Sequence, residues 1–133
     1  MPSTDIFNFI KVSEAVITGG QPTAEQLQAV AAEGHTAVIN LFPFNPDRSL
    51  PDEARLVSSL GMAYDHIPVD WDNPTDADFA AFEQVMARRT GDRTLIHCAA
   101  NYRVTAFYSL YALKHLGWTR AQAEALRAPI WKD

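Results

Sequence analysis

Arg93-Thr94-Leu95-Ile96-His97-Cys98-Ala99-Ala100-Asn101-Tyr102-Arg103-Val104-Thr105 holds the only cysteine of the chain, with an arginine five positions after it. Thr94 to Cys98 is a short β-branched and apolar run that reads as a strand, and the residues from Arg103 to about His115 read as a helix. Cys98 therefore stands between a strand and a helix start. A free thiol with a pKa of ~8.5 is mostly protonated at neutral pH and becomes a good nucleophile only where its anion is stabilised. The unpaired N–H groups of a helix N-terminus and a guanidinium together supply that stabilisation. A phosphate or sulfate fits the same cradle, because the planar fork of arginine grips two oxygens of a tetrahedral anion at once.

Short apolar runs alternate with helical patterns on either side of this stretch, the βα rhythm of a mostly parallel sheet covered by helices. Val16-Ile17-Thr18 reads as a strand ending at Gly19-Gly20-Gln21-Pro22, and Thr23 with Gln26 signals a capped helix that Gly34 ends. Thr36 to Leu41 is a strand, Phe42 to Leu50 a polar loop, and Pro51 opens a helix toward Leu60. Met62 to Val69 is a further strand, followed by the loop Asp70-Trp71-Asp72-Asn73-Pro74. Thr75 caps a helix with apolar residues at Phe79, Phe82, Val85 and Met86, and Thr119 with Gln122 starts a short last helix. The expected fold is α/β and three-layered, with a central, mostly parallel sheet of about 4–5 strands flanked by helices. Cys98 falls at the carboxyl end of a central strand, where open α/β sheets collect ligands.

The chain has 133 residues, 47% of them hydrophobic and 20% charged, which fits one globular domain spanning 1–133 with no linker. Its net charge of -5 argues against nucleic acid or an anionic membrane surface as a partner. One cysteine excludes an intramolecular disulfide, and His35, His66 and His115 lack metal-ligand spacing, so no metal site is expected. The start Met1-Pro2-Ser3-Thr4-Asp5 lacks the regions of a signal peptide and no apolar run approaches the ~20 residues of a membrane span, so a cytoplasmic location is expected.

Gly19-Gly20-Gln21-Pro22-Thr23, Val38-Ile39-Asn40-Leu41, His66-Ile67-Pro68-Val69 with its acidic loop, and His97-Cys98 with Arg103 together resemble the cysteine-dependent protein tyrosine and dual-specificity phosphatase superfamily, especially its small bacterial members. The resemblance implies a phosphatase-like fold and a two-step mechanism. Cys98 attacks phosphorus, a phosphocysteine forms, and water hydrolyses it. Arg103 and the backbone of Ala99, Ala100, Asn101 and Tyr102 bind the phosphoryl oxygens. Asp70 or Asp72, on either side of Trp71, is the general acid, with Asp72 favoured because it stands farther from the strand. His97 supports the thiolate, and Thr105 bonds the sulfur during phosphoenzyme breakdown. No metal or organic cofactor is implied, and the partner is a phosphorylated small molecule or a phosphoprotein. The oligomeric state stays open.

The chain departs from the superfamily pattern in one place. Those phosphatases have five residues between cysteine and arginine and a glycine three after the cysteine, whereas four residues intervene here and Asn101 replaces the glycine. Asparagine tolerates the left-handed conformation such a turn needs. If the loop keeps its length, Val104 takes the arginine position and Arg103 points about 100° away around the helix. If it contracts, Arg103 is in place and Val104 replaces the hydroxyl. Four intervening residues is also the spacing of rhodanese-like sulfurtransferases, whose cysteine carries a persulfide, and this is the alternative enzymatic reading. The other alternative is a pseudophosphatase that binds a phosphorylated ligand without turnover.

Overall fold

The computed structural model describes residues 2–131. Met1 of the N-terminal reading and the last two positions of the expected 1–133 domain lie outside the described residues. After a 3-10 turn at Ser3–Asp5, the elements run β1 (Ile10–Lys11), β2 (Val16–Gly19), α1 (Ala24–Ala32), β3 (Ala37–Asn40), α2 (Glu53–Ser59), β4 (Ala63–His66), α3 (Asp76–Arg88), β5 (Thr94–His97), α4 (Tyr102–His115) and α5 (Arg120–Arg127). One sheet has the order β1-β2-β5-β3-β4. Its last four strands are parallel and β1 is antiparallel to β2.

The side-chain alternation of the strands divides the core into two layers. Val16, Ile39 and Ile96 face α3, α4 and α5, where they meet Phe82, Val85, Val104 and Phe107. Their neighbours Ile17, Val38 and Leu95 face α1 and α2, against Leu27, Val30 and Val57. Strands covered on both faces must be apolar throughout, which is why β3 and β5 show no polar alternation in sequence.

Local chemistry sets most boundaries. Thr23, Thr75 and Thr119 each close a capping box, with Gln26, Asp78 and Gln122 respectively. Two boundaries differ from expectation by more than one residue. The helix expected from Pro51 begins at Glu53, because Asp52 turns the chain through φ 52°. The strand expected to Val69 ends at His66, although the amides of Ile67 and Val69 still donate to the carbonyls of Asn40 and Leu41. In the middle strand, His97 is flanked by Gly19 of β2 and Asn40 of β3. The loop that follows it therefore opens between two crossing connections.

Candidate active site

Residues after His97 form a tight turn held from outside. Cys98 is fully buried, and its N–H donates to the Gly19 carbonyl at 3.3 Å. The Ala99 carbonyl accepts from the Gln21 amide at 2.9 Å, and the Ala100 carbonyl accepts from Asn8 Nδ2 at 2.9 Å. Asn101 takes the left-handed conformation, with φ 73°, and its Nδ2 donates to the Asn8 carbonyl at 2.8 Å and to Thr18 Oγ1 at 3.0 Å. With the carbonyls drawn outward, the amides of Ala99, Ala100, Tyr102 and Arg103 have no hydrogen-bond acceptor among the described residues, while the bridge between Gly20 and Ala100 turns the Asn101 amide toward the Gly19 carbonyl. This is a concave nest of donors continuous with the α4 N-terminus, a site for an anion. Gly20 allows the supporting segment to come this close, since a Cβ there would stand 2.5 Å from the Ala99 carbonyl oxygen. The glycine pair thus braces the loop from behind.

The loop is contracted. Val104 is fully buried in the core, while Arg103 is half-buried on the wall of a cavity of about 450 Å³ above Ala99 and Ala100. The Arg103 guanidinium lies 5.6 Å from the centre of the Phe42 ring and 5.4 Å from that of Trp71. These two aromatic faces hold the cation without neutralising it, and Arg103 forms no ion pair among the described residues. Thr105 Oγ1 donates to the Asn101 carbonyl at 2.8 Å and accepts from Trp131 Nε1 at 2.9 Å.

Of the two candidate acids, Asp70 is engaged within its own turn, its Oδ1 accepting from the Asp72 amide at 3.0 Å. Asp72 instead lines a groove of about 420 Å³ shared with Trp71, Arg103 and Trp131. The structure thus brings Asp72, and not Asp70, onto the same wall as Arg103. Trp71 is stacked on Trp131 at 5.9 Å and meets Tyr102 edge-on at 5.8 Å, so the acidic loop is tied to both α4 and the residues after α5.

A buried polar network lies under the loop. His97 Nε2 is 2.7 Å from Glu53 Oε2, and its Nδ1 is 3.2 Å from the Cys98 carbonyl oxygen. The two contacts fix the plane of the imidazole between α2 and the loop. Gln21 Nε2 donates to the other Glu53 oxygen at 2.8 Å. Burial works against the Glu53 carboxylate, but bonds from His97, Gln21 and Tyr64 outweigh it and hold its pKa below the ordinary value of 4.5. Burial, reinforced by the charge of Glu53, pushes the Tyr64 phenol up to about 12. Sequence reasoning missed Glu53, Asn8, Arg48 and Trp131. Glu53 stands 44 positions from His97, and no local spacing marks that pairing.

Among the described residues no group of three His, Cys, Asp or Glu side chains could hold a metal ion, and no helix is long and apolar enough to cross a membrane.

No family model matches the chain. It is similar to a crystal structure from Shewanella putrefaciens described as "Putative phosphatase (DUF442)", with 36% identity and a TM-score of 0.84 over 92% of this chain and 78% of that one. The core catalytic domain of the PP-IP phosphatase SIW14 from S. cerevisiae shares the fold at a TM-score of 0.79 and 15% identity, over 98% of this chain and 78% of that one. A "Beta-lactamase hydrolase-like protein" from Agrobacterium fabrum is 30% identical over 104 residues, which are 76% of this chain and 24% of that protein. The chain thus spans about a quarter of the length of the curated relatives it matches.

Proposed function

The chain belongs to the DUF442 family, within the superfamily of cysteine-dependent, protein tyrosine phosphatase-like phosphatases, and from that premise we propose that it hydrolyses a phosphate monoester through a phosphocysteine on Cys98. The observation that carries the reading is the convergence of unpaired loop amides and the uncompensated Arg103 guanidinium on one cavity at the end of the central strand. A phosphoryl group bound there places three oxygens against donors that need no reorganisation as negative charge spreads over them. The Cys98 sulfur forms a bond to phosphorus while the ester P–O bond breaks, and Asp72 gives its proton to the departing oxygen. Asp72, now a carboxylate, takes a proton from the water that attacks the phosphocysteine. The S–P bond then breaks, returning the thiolate and releasing inorganic phosphate. Glu53 fixes His97, and His97 fixes the Cys98 carbonyl, so these two act as positioning residues.

Hydrolysis of p-nitrophenyl phosphate tests the reading. Cys98→Ser abolishes turnover and Arg103→Ala lowers kcat/KM by about 100-fold or more, the scale of removing one preorganised donor. Absence of turnover by the wild-type protein between pH 5 and pH 8 sinks it.

The contracted loop favours a second reading, sulfur transfer. Four residues close a smaller ring of amides around a buried sulfur, a better match to a persulfide than to a phosphoryl group. In that reaction the Cys98 thiolate takes the outer sulfur of thiosulfate, releasing sulfite, and passes it to cyanide as thiocyanate. Thiocyanate formation without phosphate release selects this reading.

A further inference from the structure

Two guanidinium groups border the cavity above the Cys98 loop. Arg48, in the connection between β3 and α2, lies 5.7 Å from the centre of the Phe42 ring, and Arg103 lies 5.6 Å from the same centre. These distances bound the separation of the two guanidinium carbons at about 11 Å. The remaining wall comes from Asn45, Trp71, Tyr102 and the loop alanines, with no carboxylate among them. Asp72 belongs to the adjoining groove.

In a chain with 16 acidic and 11 basic residues, two cations bordering one carboxylate-free cavity make it a locally positive site that favours anions. One phosphoryl group bound by the loop amides and Arg103 leaves Arg48 unmatched. Arg48 is exposed and Arg103 half-buried, so the reacting group belongs at the floor of the cavity and a second anion at its mouth. We propose that Arg48 forms a second anion subsite and that the substrate is a small molecule carrying a phosphate monoester together with a second phosphate. Resting both guanidiniums on Phe42 reduces the freedom they lose when they grip an anion. A volume of about 450 Å³ lies in the range of small-molecule sites, and the bound on the separation admits diphosphates and bisphosphates of a short chain or a single ring. This substrate class rests on the phosphatase reading, whereas the subsite itself does not.

Two measurements separate these levels. In the first, calorimetry on the Cys98→Ser protein compares inorganic pyrophosphate with inorganic phosphate. Arg48→Gln weakens pyrophosphate binding by about ten-fold, at least five-fold more than it weakens phosphate binding, and Arg48→Glu widens that ratio. In the second, wild-type and Arg48→Gln proteins are assayed with propane-1,3-diyl bisphosphate and propyl phosphate, and the variant loses at least five-fold more kcat/KM on the bisphosphate, chiefly through KM. Equal losses for the paired ligands, or none, overturn the subsite. Wild-type failure on both esters overturns the phosphatase reading and with it the substrate class, while the pyrophosphate measurement still decides the subsite.

Discussion

Replacing Glu53 by glutamine probes the network beneath the loop with little change of shape. Glu53 is 6% exposed and its carboxylate faces His97 and Gln21 at 2.7 and 2.8 Å. The amide keeps an acceptor for Gln21 but gives His97 a donor, or a weaker neutral acceptor, in place of a carboxylate. Removing one side of a buried charged pair costs 3–5 kcal/mol, and loss of a hydrogen bond to a charged group about 1.5–3 kcal/mol. Because the amide retains part of the bonding, about 3 kcal/mol is expected, which for a chain of this length lowers Tm by about 12 °C. The effect has a defined pH dependence. The native Glu53 pKa lies below 4.5, so as pH falls the unfolded chain binds this proton first. The contribution is therefore complete well above pH 4.5 and is lost as pH falls through the native value. Thermal melts followed by circular dichroism at pH 7 and pH 3.5 measure both effects, and the gap between the proteins must narrow at the lower pH. A variant melting within about 3 °C of wild type at pH 7, or an equal gap at both pH values, refutes the assignment of Glu53 as an ionised partner of His97.

Trp131→Ala removes the stacked partner of Trp71 and the N–H bond to Thr105; it should cost about 2 kcal/mol in urea unfolding and lower kcat more than it raises KM, since Trp71 carries the Asp72 loop. Asn101→Gly and Asn101→Ala both lose the bonds to Asn8 and Thr18, but only alanine resists φ 73°, so urea titration should show the alanine variant less stable by about 1 kcal/mol. Gly20→Ala drives a Cβ toward the Ala99 carbonyl and shifts the donor nest; on the proposed anion site phosphate should raise the Tm of the wild-type protein and not that of the variant, and an equal rise in both would contradict the bracing role of Gly20.

The parts of the fold that were legible in sequence are those set by nearby residues. Thr23, Thr75 and Thr119 were readable because a capping box closes within one helical turn. The parallel interior strands were readable because burial on both faces makes them continuously apolar. Ile10–Lys11 pairs only two residues with β2, too short a run for any periodicity to mark. The site divides in the same way. Cys98, Arg103 and the acidic loop are marked by position, whereas Glu53, Asn8 and Trp131 join the site across separations of 44, 92 and 26 positions.

The loop length turns on one helical step. Arg103 and Val104 are about 100° apart around α4, so only one of them can face the cavity while the other faces the sheet. An uncontracted loop would drive Arg103 toward the layer formed by Ile39, Ile96 and Phe107 and would leave valine at an anion site. Burying an unpaired guanidinium there costs far more than the fraction of a turn that Asn101 absorbs in its left-handed conformation. Contraction carries Thr105 with it: its hydroxyl is engaged with the Asn101 carbonyl and Trp131 Nε1, while the resemblance assigned it to the sulfur. In the proposed mechanism the second step at Cys98 then rests on Asp72 and the amide nest, which makes the acidic loop, and the Trp71–Trp131 stack that holds it, the point on which the proposed turnover depends.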